Sequence, residues 1–217
     1  MKRNHIVLDC ETGGLSCFDN PITEIALQVL SNKDLEVLYS YETYVKPYQD
    51  LVITKEAIEK TQTSMTEINY GVDYKVLLKQ LITTFDKYTI RTSKSQYKPI
   101  LVAHNADFDA GFLEVLFAYD NKDLYDYIDK VLFCTQREME RIDGYIEDKK
   151  SKLSYTLGNC CNRMGIELKN AHGAMNDVIA TTELFNCIVN KMRGGTIDNT
   201  TKQKPKQTKK ARQFFEF

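Results

Sequence analysis

The sequence predicts an α/β domain built on a central mixed sheet of five strands flanked by helices. Two observations carry the prediction. Five short runs, Ile6–Asp9, Ile22–Ser31, Leu35–Lys46, Ile100–Ala103 and Val131–Phe133, have strand-like apolar content. From Thr54 onward, stretches with apolar spacing of three and four alternate with those runs. The order β-β-β-α-α-β-α-β-α-α combines hairpins at the start with crossovers later, which gives a mixed sheet.

Each element has its own signal. Ile6-Val7-Leu8 is dense enough to be a buried central strand, and Ser31-Asn32-Lys33-Asp34 supplies turn chemistry for a meander of the first three strands. Thr54 is an N-cap for the helix formers Lys55–Lys60. Val76, Leu77, Ile82 and Phe85 mark a second helix, and residues 91–98 form a polar loop. Ile100–Ala103 runs into His104-Asn105, after which Phe108, Phe112, Leu113, Leu116 and Phe117 predict a helix from about Ala106. Leu153–Met164 is expected to be helical and to end at Gly165, a C′ glycine. The last helix is expected over Asn176–Met192, with Ile179, Ala180, Leu184, Phe185, Ile188 and Val189 on its buried side.

With 217 residues, 42% of them hydrophobic and 27% charged, the chain suits one globular domain. The expected boundaries are a domain over 1–193 and a flexible basic tail over 194–217. The whole chain carries 29 basic and 30 acidic side chains, yet residues 202–217 hold Lys202, Lys204, Lys206, Lys209, Lys210 and Arg212 against Glu216 alone. The body is therefore mildly acidic and the tail strongly basic. No run approaches the ~18–20 apolar residues of a membrane helix. The apolar run after the basic start stops at Asp9, so no signal peptide is read. The six cysteines show no CxxC pair, which fits reduced core residues and a cytoplasmic location.

Three acidic clusters point to chemistry: Asp9-Cys10-Glu11-Thr12-Gly13-Gly14, His104-Asn105-Ala106-Asp107-Phe108-Asp109 and His172-Gly173-Ala174-Met175-Asn176-Asp177. Residues two apart on a strand face one side, so Asp9 and Glu11 point together while Cys10 faces the opposite layer. Asp109 and Asp177 lie in the first turns of helices. Four converging carboxylates raise one another's pKa unless positive charge is supplied. The motifs contain no lysine or arginine, so hard divalent cations, Mg²⁺ or Mn²⁺, are the expected compensation.

These three motifs in order, with His172-x-Ala174-x-x-Asp177 and the Ser154-Tyr155-Thr156-Leu157 to Met164-Gly165-Ile166 segment, resemble the DEDDh branch of the DnaQ-like 3′–5′ exonucleases. That group includes the proofreading epsilon subunit of DNA polymerase III and RNase T. The resemblance spans roughly residues 5–190 and departs from the pattern at Val178, where many members have alanine. It implies an RNase H-like fold with Asp9 and Glu11 on a central first strand. It also implies two metal ions held by Asp9, Glu11, Asp109 and Asp177, with His172 as general base. Thr12, Gly13, His104, Asn105 and Phe108 are candidate substrate contacts, Phe108 by stacking on a terminal base. The implied activity is release of nucleoside 5′-monophosphates from single-stranded or frayed DNA 3′ ends, in replication proofreading or repair. The alternatives are an exoribonuclease of the RNase T or oligoribonuclease kind and a non-catalytic nucleic-acid-binding subunit. Phe214, Phe215 and Phe217 end the basic tail like a degenerate clamp-binding peptide, so a sliding clamp or polymerase is a candidate partner.

Overall fold

The structure, a computed structural model, describes residues 2–61, 63–144, 153–168 and 173–194. Seven strands and seven α-helices are assigned among these residues: β1 His5–Thr12, β2 Ile22–Leu30, β3 Val37–Tyr44, α1 Lys55–Thr61, α2 Met65–Asn69, α3 Tyr74–Lys87, β4 Ile90–Arg91, β5 Gln96–Tyr97, β6 Ile100–Ala103, α4 Ala106–Ala118, β7 Phe133–Cys134, α5 Thr135–Asp143, α6 Leu157–Arg163 and α7 Ala174–Met192. The main sheet is five-stranded and mixed, in the order β3-β2-β1-β6-β7. Its first three strands are the expected antiparallel meander, and β6 and β7 add in parallel.

Pairing register explains what each face does. Along β1, Ile6, Leu8 and Cys10 enter the larger core beneath α3 and α4, with Leu77, Leu81, Phe85, Phe112 and Phe117. Val7 instead packs with Ala26, Val102, Val178 and Phe185 under α7. Asp9 and Glu11 share the parity of Val7, so the alternation that buries both faces also turns the two acids toward α7. They sit at the end of β1, beside the C-terminal end of the parallel strand β6. Ligand sites in open α/β sheets gather at such strand ends.

Several expectations need correction. Residues 91–98 contain most of a small hairpin, β4 with β5, rather than loop alone. The strand expected at Val131–Phe133 is shifted to Phe133–Cys134, where pairing with Val102 and Ala103 decides its position. The helix expected from Leu153 starts at Leu157 and ends as expected before Gly165, whose φ of 70° favours glycine. On α7, Ile179 is 42% exposed and Val178 takes the buried position. Two short helices went unforeseen. α2 is announced by a capping box, Ser64 with Glu67. α5 buries only Thr135 and Met139, too few apolar positions for a clear helical period.

Candidate active site

Three carboxylates meet where β1 passes under the start of α7. Asp9, Glu11 and Asp177 each place one oxygen so that all lie within 4.8 Å of one another. Asp109 approaches from the opposite layer, on α4, and is 4% exposed. One of its oxygens accepts the backbone N–H of Cys10 at 3.0 Å, which ties α4 to β1 between the two strand acids. Asp109 is outside the tight triple, yet it lines the same cleft and acts electrostatically on Asp9. That cleft has a volume of about 720 Å³.

Burial and mutual repulsion set the protonation of this group. Asp9 is pushed well above the ordinary carboxylate range by burial, then by Asp109, Glu11 and Asp177. Burial raises Glu11 to about 7, with Asp177 adding to the shift and Lys60 opposing it. Burial raises Asp109 to about 7 against the hydrogen bond from Cys10. A site of oxygen donors that resist ionisation for lack of positive charge fits a hard divalent cation.

A linkage prediction follows for the metal-free protein. Each raised carboxyl binds its proton more tightly folded than unfolded, so stability is highest below the ordinary carboxylate pKa and falls as pH rises toward and through about 7. In EDTA, the melting temperature should fall between pH 5 and pH 8, and Mn²⁺ at pH 8 should restore it. A flat profile in EDTA would show that the carboxylates are not packed as described.

The other expected contacts divide. Thr12 lines the cleft and donates its hydroxyl to the Gly14 carbonyl at 2.7 Å. Gly13 does not line the cleft. Its N–H donates to the Pro21 carbonyl, its carbonyl accepts from Thr54, and a Cβ there would lie 2.8 Å from Pro21 and 2.9 Å from the Val52 carbonyl. The close approach that needs glycine is therefore to the protein's own backbone, and Gly14 faces the cleft instead. Asn105 is exposed at the cleft, at the N-cap of α4, and makes no side-chain cap bond. Phe108 borders the cleft while packing on Phe112, ring centroids 4.9 Å apart.

His104 lines the cleft with both ring nitrogens engaged. Nε2 donates to the Tyr155 carbonyl at 2.8 Å, and Nδ1 pairs with the Thr135 hydroxyl at 3.0 Å. Burial lowers its pKa, consistent with a neutral ring accepting at Nδ1. The imidazole thus ties the end of β6 to α5 and to the approach to α6, and it orders the cleft wall.

His172 lies outside the described residues, as do Phe214, Phe215 and Phe217. Sequence reasoning missed the wall formed by α1, including Lys60, a cation close enough to act on Glu11. The exposed Leu15 at the mouth was also missed. The Thr54 N–H, donated to the Gly13 carbonyl, and the Val52 N–H, donated to the Asp19 carbonyl, hold the approach to α1 against the turn after β1.

Comparison with known proteins places this geometry. The RNase T exonuclease family model matches residues 6–185. A ribonuclease T of Vibrio campbellii is 27% identical over 87% of this chain and 86% of its own length. A PolC-type DNA polymerase III of Clostridium perfringens is 28% identical over 87% of this chain, which spans only 11% of that polymerase. Among solved structures, E. coli exonuclease I in complex with a dT13 oligonucleotide superposes with a TM-score of 0.73 at 20% identity. That match covers 88% of this chain and 42% of exonuclease I. The fold is RNase H-like.

Proposed function

Because the chain belongs to the RNase T exonuclease family, we propose that it is a metal-dependent 3′–5′ exonuclease that trims single-stranded or frayed DNA ends to nucleoside 5′-monophosphates. The observation that carries this reading is the triple of Asp9, Glu11 and Asp177 oxygens, with Asp109 buried beside it, in a cleft bordered by Phe108. Asp9, Glu11, Asp177 and the second oxygen of Asp109 would hold two divalent cations of the Mg²⁺ or Mn²⁺ type. When bound, such cations supply positive charge to the scissile phosphate and lower the pKa of an attacking water.

The chain's own residues do the rest. Phe108, held by Phe112, supplies an aromatic ring at the cleft on which a terminal base stacks without sequence preference. Thr12 and Gly14 meet the terminal sugar, and Asn105 at the start of α4 meets a phosphate, where helix N–H groups favour negative charge. Lys60 contributes a nearby cation on the α1 side. His172 accepts the proton of the attacking water. Residues 1–193 form the catalytic domain. The basic segment 194–217, with its terminal phenylalanines, serves as a tether to a clamp or polymerase.

A second reading, an exoribonuclease, is favoured by one observation: the ribonuclease T relative is covered nearly end to end, whereas the polymerase match is confined to a small part. Matched 5′-labelled DNA and RNA strands, digested with Mg²⁺, Mn²⁺ or EDTA, separate the readings. The expected result is stepwise shortening from the 3′ end, faster on DNA and abolished by EDTA. Faster cleavage of RNA selects the second reading, and cleavage that persists in EDTA overturns both.

A further inference from the structure

A fifth acid lies beside the site and has no place in the mechanism above. Glu24 is 4% exposed and stands directly opposite Glu11 in the β1–β2 ladder. Like charges facing each other across a ladder are unfavourable. Glu24 shares its face of β2 with Ala26, Gln28 and Leu30. That face is covered by α7: Ala26 and Leu30 pack with Ala174, Val178 and Phe185, and the Thr182 hydroxyl donates to Gln28 at 2.9 Å.

The start of α7 explains what a carboxyl does there. Its N-cap is Gly173, which offers no side-chain acceptor to the first-turn N–H groups. Ala174 is fully buried, so solvent does not reach it. From this face of β2 the Glu24 carboxyl meets the Ala174 N–H, which acts on it as a hydrogen-bond donor and opposes the upward push of burial on its pKa. A residue on a neighbouring strand thus performs the capping that the helix's own sequence omits.

We propose that Glu24 is a positioning residue: by accepting the Ala174 N–H it fixes the first turn of α7 on β2 and sets where Asp177, three residues on, meets Asp9 and Glu11. This deepens the reading of those acids as cation ligands and rests on it.

The test measures Mn²⁺ binding to the full chain without substrate, alongside kcat and KM on a labelled single strand. Glu24→Met, which has no acceptor oxygen, should weaken Mn²⁺ binding and lower kcat by roughly 10–100-fold, as loss of a ligand-orienting group does. KM for the strand should change little. Raised Mn²⁺ should recover part of the rate, which general loosening of the core would not allow. Glu24→Gln keeps an acceptor and should stay close to wild type. Unchanged Mn²⁺ affinity in Glu24→Met overturns the proposal, as does equal loss in both variants, which would assign the effect to charge. If Glu24→Met does not fold, Ala174→Pro removes the same N–H at a first helical position that accepts proline; it must show the same loss, and wild-type affinity there overturns the proposal. Wild-type protein that binds Mn²⁺ but cuts neither DNA nor RNA refutes the proposed function and leaves the Glu24 comparison readable. No Mn²⁺ binding at all removes the ligand reading and this inference with it.

Discussion

Asp9→Asn should abolish most turnover and, in the same protein, raise the melting temperature of the metal-free form at pH 8. The two effects have one cause. Asp9 lies among Asp109, Glu11 and Asp177 and is pushed well above the ordinary carboxylate range, chiefly by burial. At pH 8, folding without metal must either bury its charge beside three others or draw a proton from solution, and both cost free energy. Asparagine has nearly the same shape and neither cost, so the variant folds more stably. At pH 5 the stability gain should shrink, because proton uptake there is easier. The same substitution removes a ligand charge. Loss of a group that merely orients a ligand costs 10–100-fold, so loss of a direct ligand should cost more than roughly 100-fold in kcat. Steady-state rates and thermal melts in EDTA read both arms. A variant within a few-fold of wild-type turnover, or one less stable than wild type at pH 8 without metal, would remove Asp9 from the site. Stability exchanged for activity at one residue is a signature of a functional position.

That opposition was legible in the sequence because it depends on parity and element ends. Asp9 and Glu11 close an apolar strand two residues apart, and strand geometry alone turns them to one side. Asp109 and Asp177 open helices whose apolar periods were plain. Elements whose signal is spread thinly were less legible. α5 rests on Met139 and little else, so its anchoring of His104 through Thr135 appears only in three dimensions. Glu24 reads as one polar residue within an apolar strand, and nothing nearby marks it. Its significance lies in the hairpin register that sets it against Glu11 and in the distant segment that brings Ala174 over it. Gly13 and Gly14 carry the same sequence signal for close approach, and only packing shows what each approaches: Pro21 and the Val52 carbonyl for Gly13, the Asn20 side chain for Gly14.

His172→Ala should lower kcat by roughly 10²–10⁴-fold, the range for loss of a positioned general base, while leaving Mn²⁺ affinity near wild type. Chain connectivity supports the assignment. Gly173 is the N-cap of α7, and Asp177 lies in that helix's first turn. His172 directly precedes that N-cap in the sequence, five residues before Asp177. A base in this place must be neutral to accept a proton, so wild-type activity should rise with pH through the imidazole transition and the variant should lose that limb. The combination separates three roles. A ligand would lose cation affinity in proportion to rate. A purely structural residue would lose melting temperature and leave the shape of the pH profile unchanged. A base loses rate and the acid limb together while holding cation affinity and stability. Recovery of the variant by added imidazole would strengthen the assignment, and a kcat within a few-fold of wild type would refute it.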